Sequence, residues 1–213
     1  MDDPSTTLAA LRGLLAERFP QAARAAGSVL PTGITAIDEH ARGLPRAALT
    51  ELVCGVPSGG SQLLLGQLLH LTRQRGGRVG LIDGGDSFDP ASWPAESLEH
   101  LTWVRCHATS EVIPVADLFA RDANFELVVI DLRRAAKAEL RRIPATSWYR
   151  LQRAVEQTDL ALLVITPIAV VPSAQLRLGL GRSHHLRDQG EPREALVSAL
   201  PAKLQRQRLV AAG

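Results

Sequence analysis

Leu49-Thr50-Glu51-Leu52-Val53-Cys54-Gly55-Val56-Pro57-Ser58-Gly59-Gly60-Ser61-Gln62-Leu63-Leu64-Leu65 is the stretch that decides how the chain is read. Its first part, LTELVC at 49–54, is a short apolar run closed by glycine. Such runs are buried strands, because a strand covered on both faces loses the alternation of apolar and polar residues. Gly55 and Gly60 bracket a tight turn, and SQLLLGQLLHLTRQR at 61–75 then places apolar residues at helical spacing. Strand, glycine turn and helix in that order make one βα unit. Outward from it, RVGLID (78–83), LTWVRC (101–106), ELVVID (126–131) and LALLVIT (160–166) give further strands. SEVIPVADLFARD (110–122) and TSWYRLQRAVEQT (146–158) give further helices. Repeated βα units predict an α/β fold with a mostly parallel sheet flanked by helices.

After residue 172 the pattern becomes alternating, in AQLRLGL and again in AKLQRQRLV, which predicts a few antiparallel strands at a short C-terminal edge. At the other end, Ser5 and Thr6 precede Leu8, Leu11, Leu15 and Phe19 on one helical stripe, and Pro20 stops it. The expected organisation is an N-terminal helix and linker over 1–29 and one core domain over 30–213.

Of the 213 residues, 46% are hydrophobic and 22% charged, the usage of a chain that folds rather than of a disordered one. The opening MDDPSTT carries acids where a secretory signal needs positive charge, and no run of about 18 or more apolar residues appears. A cytoplasmic, nucleoid-associated protein with no membrane contact is expected. Cys54 and Cys106 have no CxxC spacing and no zinc-finger partners, so both read as reduced, mostly buried thiols. The net charge of +2 conceals an asymmetry. Arg133, Arg134, Lys137, Arg141, Arg142, Arg150 and Arg153 face only Glu139 within 132–153, so any nucleic-acid contact is expected in the C-terminal half.

The turn at 55–62 has the glycine spacing of a phosphate loop, G-x-x-x-x-G-K-[ST]. Gly55, Ser58, Gly59 and Gly60 can form an anion-binding nest of backbone N–H groups at a helix N-terminus. Ser61 stands where the lysine that reaches the β- and γ-phosphates belongs, and Gln62 where the magnesium-binding hydroxyl belongs. Two readings stay open: a glycine turn kept for its geometry, or a degenerate nucleotide site that binds weakly. Asp131, closing the LVVID strand, is either the acid that holds magnesium through water or a cap on the following turn. No catalytic residue and no cofactor are expected. His184 and His185 lack Cys or carboxylate companions, and Asp83, Asp86 and Asp89 read as turn acids, so no metal site is expected.

The order LPTGITAIDEHARGLPRAALTEL, the Gly-rich loop, GGRVGLIDGGDSFDP and LVVID resembles the core of RecA recombinases over roughly 30–180. That resemblance implies a RecA-like core and a catalytic Glu within I-D-x-E-x-x-x-D-P, a position that falls here on Gly85. Asp86 is one residue along and shorter by a methylene. The long Gly-rich DNA-binding loop of recombinases is reduced to PIAVVP, so strand exchange is not expected. What remains looks most like the ImuA-type RecA-like accessory proteins of bacterial translesion synthesis. SulA-type cell-division inhibitors share the degraded fold, and a divergent DNA-stimulated ATPase is the enzymatic alternative.

The ImuA resemblance implies as partners RecA, an ImuB-like Y-family polymerase homologue and, through it, an error-prone C-family DNA polymerase. RecA-type proteins assemble through an N-terminal helix packed on the neighbouring core. Leu8, Leu11, Leu15 and Phe19 are therefore candidates for partner binding, or else cover the chain's own core. The basic run falls where RecA proteins place a DNA-contacting loop. Arg133, Arg134, Lys137, Arg141 and Arg142, with Trp148 as a stacking ring, are candidates for weak single-stranded DNA binding, a solvated helix face being the alternative.

Overall fold

The computed structural model describes residues 28–122 and 124–208. The expected helix carrying Leu8, Leu11, Leu15 and Phe19 lies outside them, as does the end of the C-terminal alternation at 209–213.

Seven strands form the main sheet: β3 (Ala48–Cys54), β4 (Val79–Asp83), β5 (Leu101–Arg105), β6 (Leu127–Asp131), β7 (Ala161–Thr166), β8 (Leu176–Leu180) and β9 (Ala202–Gln207). Their order is β5-β4-β6-β7-β3-β8-β9. All neighbours run parallel except β8 and β9. This is a mostly parallel α/β sheet of the RecA-like kind. A two-stranded antiparallel ribbon, β1 (Val29–Leu30) with β2 (Leu44–Pro45), precedes it and encloses helix α1 (Thr35–Ala41). Asp38 fixes the entry to α1 by accepting from the Thr32 and Gly33 amides and the Thr32 hydroxyl.

The expected antiparallel edge shrinks to one strand, since β8 runs parallel to β3 with Leu176 opposite Thr50. Alternation in a sequence reports which face of a strand is polar and says nothing of its direction. In β8 the polar position is Arg177, whose Nε donates to Glu51 Oε2 at 2.6 Å. Glu51 is fully buried in β3, and its other oxygen accepts from the Val170 and Val171 amides and the Thr166 hydroxyl. This buried pair ties three neighbouring segments together. Removing one partner of such a pair typically costs about 3–5 kcal/mol.

Period-two side chains divide the core between the two sheet faces. Leu52, Leu81, Val129 and Leu163 meet Leu64 and Leu68 of helix α2 (Ser61–Gln74). On the opposite face Leu49, Ile82, Val128, Ile130 and Val164 meet Val112 and Ala116 of α3 (Thr109–Arg121). Trp148 and Leu151 of α5 (Ala145–Glu156) complete that layer. Two short helices that the periodicity does not announce follow: α4 (Lys137–Arg142), after β6, and α6 (Arg193–Ser198), which precedes β9 and packs against α2. The basic tail from Arg193 is therefore a helix turn followed by an edge strand.

Candidate functional site

Ligands of open α/β sheets gather beyond the carboxyl ends of the strands, and there the glycine turn, Asp83 and Asp131 come together. Register places Asp83 directly beside Asp131 on adjacent parallel strands. Both are completely buried. Two carboxylates so placed need donors, and each finds a different set.

Asp83 is answered by its own loop, accepting from the amides of Gly85, Ser87 and Phe88. It is a turn acid. Asp89 caps the short helical turn that follows, through the Ala91 amide and the Ser92 hydroxyl. Asp86, at φ 47°, pairs with Arg105 at the end of β5, with both side chains well exposed. That contact holds it off the phosphate-loop cleft, so Asp86 is not positioned to replace the missing glutamate. Gly85 does not line the cleft either. A Cβ at Gly85 would come within 3.0 Å of Arg134 Cβ, so the absence of a side chain lets the 133–134 turn close against the 84–86 loop.

Asp131 is answered by Arg133. The Arg133 amide and Nε donate to Asp131 Oδ1 at 3.1 and 2.9 Å, and Nε and Nη2 reach Oδ2. Ser87 Oγ donates to the same Oδ2 at 2.8 Å and accepts from Arg133 Nη2 at 3.1 Å. Arg133 Nη1 then crosses to Ser61, donating to its Oγ at 2.8 Å. With the Gln62 amide turned so that its oxygen faces the guanidinium, as the hydrogen-bond network requires, that oxygen accepts from Nη2 at 2.6 Å and Nη1 at 3.2 Å. The guanidinium thus sits against both positions at which the glycine turn departs from a phosphate loop. Burial works against its charge, but the Asp131 hydrogen bonds and carboxylate outweigh that and hold the proton more tightly than in a free arginine.

The consequence for Asp131 is chemical. It caps the following turn through the Arg133 amide, and both its oxygens are engaged by Arg133 and Ser87. A cation at this acid would have to displace a guanidinium held by charge-assisted bonds, which are roughly twice as strong as neutral ones. Cys54, at the end of β3, borders the same space, and burial pushes its thiol up to about 12 despite the nearby Arg133 charge and a hydrogen bond with Ser61. Cys106 is also free, and burial raises its thiol too.

The glycine turn is closed down from the other side. Ser183 Oγ donates to the Pro57 carbonyl at 2.8 Å, and the His184 amide donates to the Ser58 carbonyl at 2.9 Å. Ser58 and Gly60 take left-handed backbone, at φ 54° and 89°. A Cβ on Gly60 would lie 2.3 Å from Leu200 Cδ1 and 3.1 Å from His184 Nε2, so glycine is required here by the C-terminal segment packed over it. A cleft of about 760 Å³ remains, bordered by the turn, Arg133, Arg134, His184 and Asp188.

The DNA candidates separate. Arg134, Lys137, Arg141 and Arg142 are exposed, on and beside α4. Arg133 faces inward to Asp131, and Trp148 is entirely buried in the core beneath α5. Trp148 therefore offers no ring for a base; its place on the apolar stripe with Leu151 and Val155 explains it. Reading the arginine-rich run as one surface missed Arg133 as part of the site. Two strands ending in Asp and a loop without its lysine were visible in the sequence, but nothing local singled out Arg133 among the seven basic residues of 132–153. His184, set aside for want of metal-ligand companions, also borders the cleft.

Compared with protein-family models and with curated proteins, the chain matches none.

Proposed function

We propose that this chain is a RecA-like accessory protein that does not hydrolyse nucleotide and acts by binding other proteins in DNA-damage tolerance. Its partners on this reading are a RecA recombinase and an ImuB-like polymerase homologue. The observation that carries the reading is Arg133. The charge that a phosphate-loop lysine would offer to a ligand is offered instead to Asp131, Ser61 and Gln62 within the protein. Phosphoryl transfer needs a metal-holding acid, a cation on the phosphates and a group that orients water. Here the acid is paired internally, the cation is committed to it, and Gly85 stands at the water-orienting position. The RecA-like sheet order and the ordered motifs support a fold of the nucleotide-handling kind; the role itself rests on the site, since a fold alone does not fix function.

The test is the affinity of the full chain for the RecA protein of its own organism under filament-forming conditions, with and without residues 1–27. Micromolar or tighter binding, about −8 kcal/mol or better, that is lost on deletion is the expected outcome. Absence of binding would remove the recombinase from the proposal.

A further inference from the structure

Between α3 and α5 runs a groove of about 1190 Å³, larger than the phosphate-loop cleft and separate from its chemistry. Gly85 and Ala108 are among the residues that line it, and Arg134 is common to both spaces. Its apolar surface comes from Ile113, Pro114 and Leu118 on one side and Ile143 and Leu151 on the other. Leu118 is 69% exposed, the most exposed large apolar side chain among the described residues. A single exposed leucine is ordinary on a surface; with Ile113, Pro114, Ile143 and Leu151 in the same groove lining it forms an apolar floor.

The charges around that floor are not balanced. Arg134, Arg142 and Arg150 line the groove, and among the described residues their guanidinium groups have no hydrogen-bond partner and no carboxylate within salt-bridge reach. Two acids line the groove with them, and Arg150 acts electrostatically on one of these, Asp117. Asp117 is held bidentately by Arg121, at 2.8 and 3.0 Å, and Glu139 accepts from the Thr109 hydroxyl at 2.6 Å. Three arginines against two acids, above an aliphatic floor, complement a ligand with apolar residues on one face and carboxylates beside them.

We infer that the α3–α5 groove docks an acidic amphipathic helix of a partner protein, with its apolar stripe against Leu118, Ile113 and Leu151 and its carboxylates on Arg134, Arg142 and Arg150. Helix-in-groove recognition uses anchors at i, i+3 or i+4, and i+7, a spacing that two helical turns bring onto one face. Single-stranded DNA fits the same cations but not the floor. Bases are held by stacking on aromatic rings; no Phe, Tyr or Trp lines the groove, where the His107 imidazole is the single aromatic ring, and Trp148 is buried. The inference deepens the proposed partner-binding role by giving it a surface and a ligand chemistry.

A display library of random 16-residue peptides selected on the full chain, with counter-selection on Leu118→Asp, tests it. The expected result is a consensus with apolar residues at helical spacing and excess Asp and Glu. A synthetic peptide of that consensus should bind with a micromolar Kd. Leu118→Asp should weaken it about tenfold or more, as loss of a buried leucine contact implies. Arg142→Glu and Arg150→Glu should each weaken it several-fold, the more so at low salt. A consensus without acidic excess, or a peptide that binds Leu118→Asp equally well, would overturn the inference. So would a dT20 oligonucleotide whose binding falls with the arginine reversals while peptide binding does not. Recombinase binding is measured separately, so failure of that partner and failure of this groove give different results.

Discussion

The two concave regions at the strand ends handle arginine in opposite ways. In the phosphate-loop cleft Arg133 is turned inward and spends its donors on Asp131, Ser61, Ser87 and Gln62. In the α3–α5 groove Arg134, the very next residue, is exposed with Arg142 and Arg150, and among the described residues none of the three makes a salt bridge, although the Arg150 charge acts on Asp117. Adjacent residues in one turn thus take different roles. The difference teaches that a glycine turn without a lysine need not border an empty cleft. A buried acid beside it must still be neutralised, and a nearby arginine does so.

The largest expected effect comes from breaking the inward pair. Arg133→Ala leaves Asp131 buried with no charge partner and should cost about 3–5 kcal/mol, lowering Tm by roughly 10 °C for a chain of this size, as read by thermal and urea unfolding. Arg133→Ala combined with Asp131→Ala should recover part of that loss, giving a coupling energy in a double-mutant cycle. Equal losses without coupling would mean that the pair is not what holds this end of the sheet.

Next in size is Ser61→Lys with Gln62→Thr, which restores the loop's motif beside a guanidinium already in place. Two cations then compete for Asp131, and the variant should be less stable by about 1–3 kcal/mol, the cost typical of leaving a buried polar group unsatisfied. A stabilised variant that binds magnesium nucleotide would show that these two side chains were all that nucleotide binding lacked.

The outward region should behave in the opposite sense. Leu118→Asp and Arg142→Glu should change stability by no more than about 0.5 kcal/mol, as surface substitutions do, whatever they do to a ligand. A large loss would make the groove part of the protein's own packing.

The smallest effect lies outside both regions. His100 donates from Nε2 to the Leu69 carbonyl, and its Nδ1 is buried without a partner. Burial holds its pKa below the ordinary 6.5. The unfolded chain therefore takes up the proton first, so the His100 contribution is intact above about pH 6.5 and declines as pH falls below it. His100→Gln, which keeps a donor for Leu69, should flatten the loss of stability between pH 7 and 5.

The sheet was legible because its signals are local. LTELVC, RVGLID, LTWVRC, ELVVID and LALLVIT each become a strand within a residue or so of the expected bounds; all but LTWVRC, the partly exposed edge strand, are apolar runs buried within the sheet. The direction of β8 was not legible, because the alternation around Arg177 answers to Glu51 across the sheet, 126 positions away. The glycine turn and Asp131 were recognisable as parts of one site by spacing. That Arg133 belongs with them was hidden by its company: among seven basic residues in 132–153 nothing local marks the one that turns inward. Trp148 shows the converse, an aromatic beside a basic run that belongs to the core by its helical spacing with Leu151 and Val155.

The most direct test of the central claim is magnesium-dependent phosphate release from ATP by the full chain, with and without single-stranded DNA, beside an Asp131→Ala control. The account predicts release no faster than the protein-free blank in every case, because the acid and the cation of the site are paired with each other. Release that requires magnesium and is abolished by Asp131→Ala would contradict it, and would mean that Arg133 yields its place to nucleotide and metal.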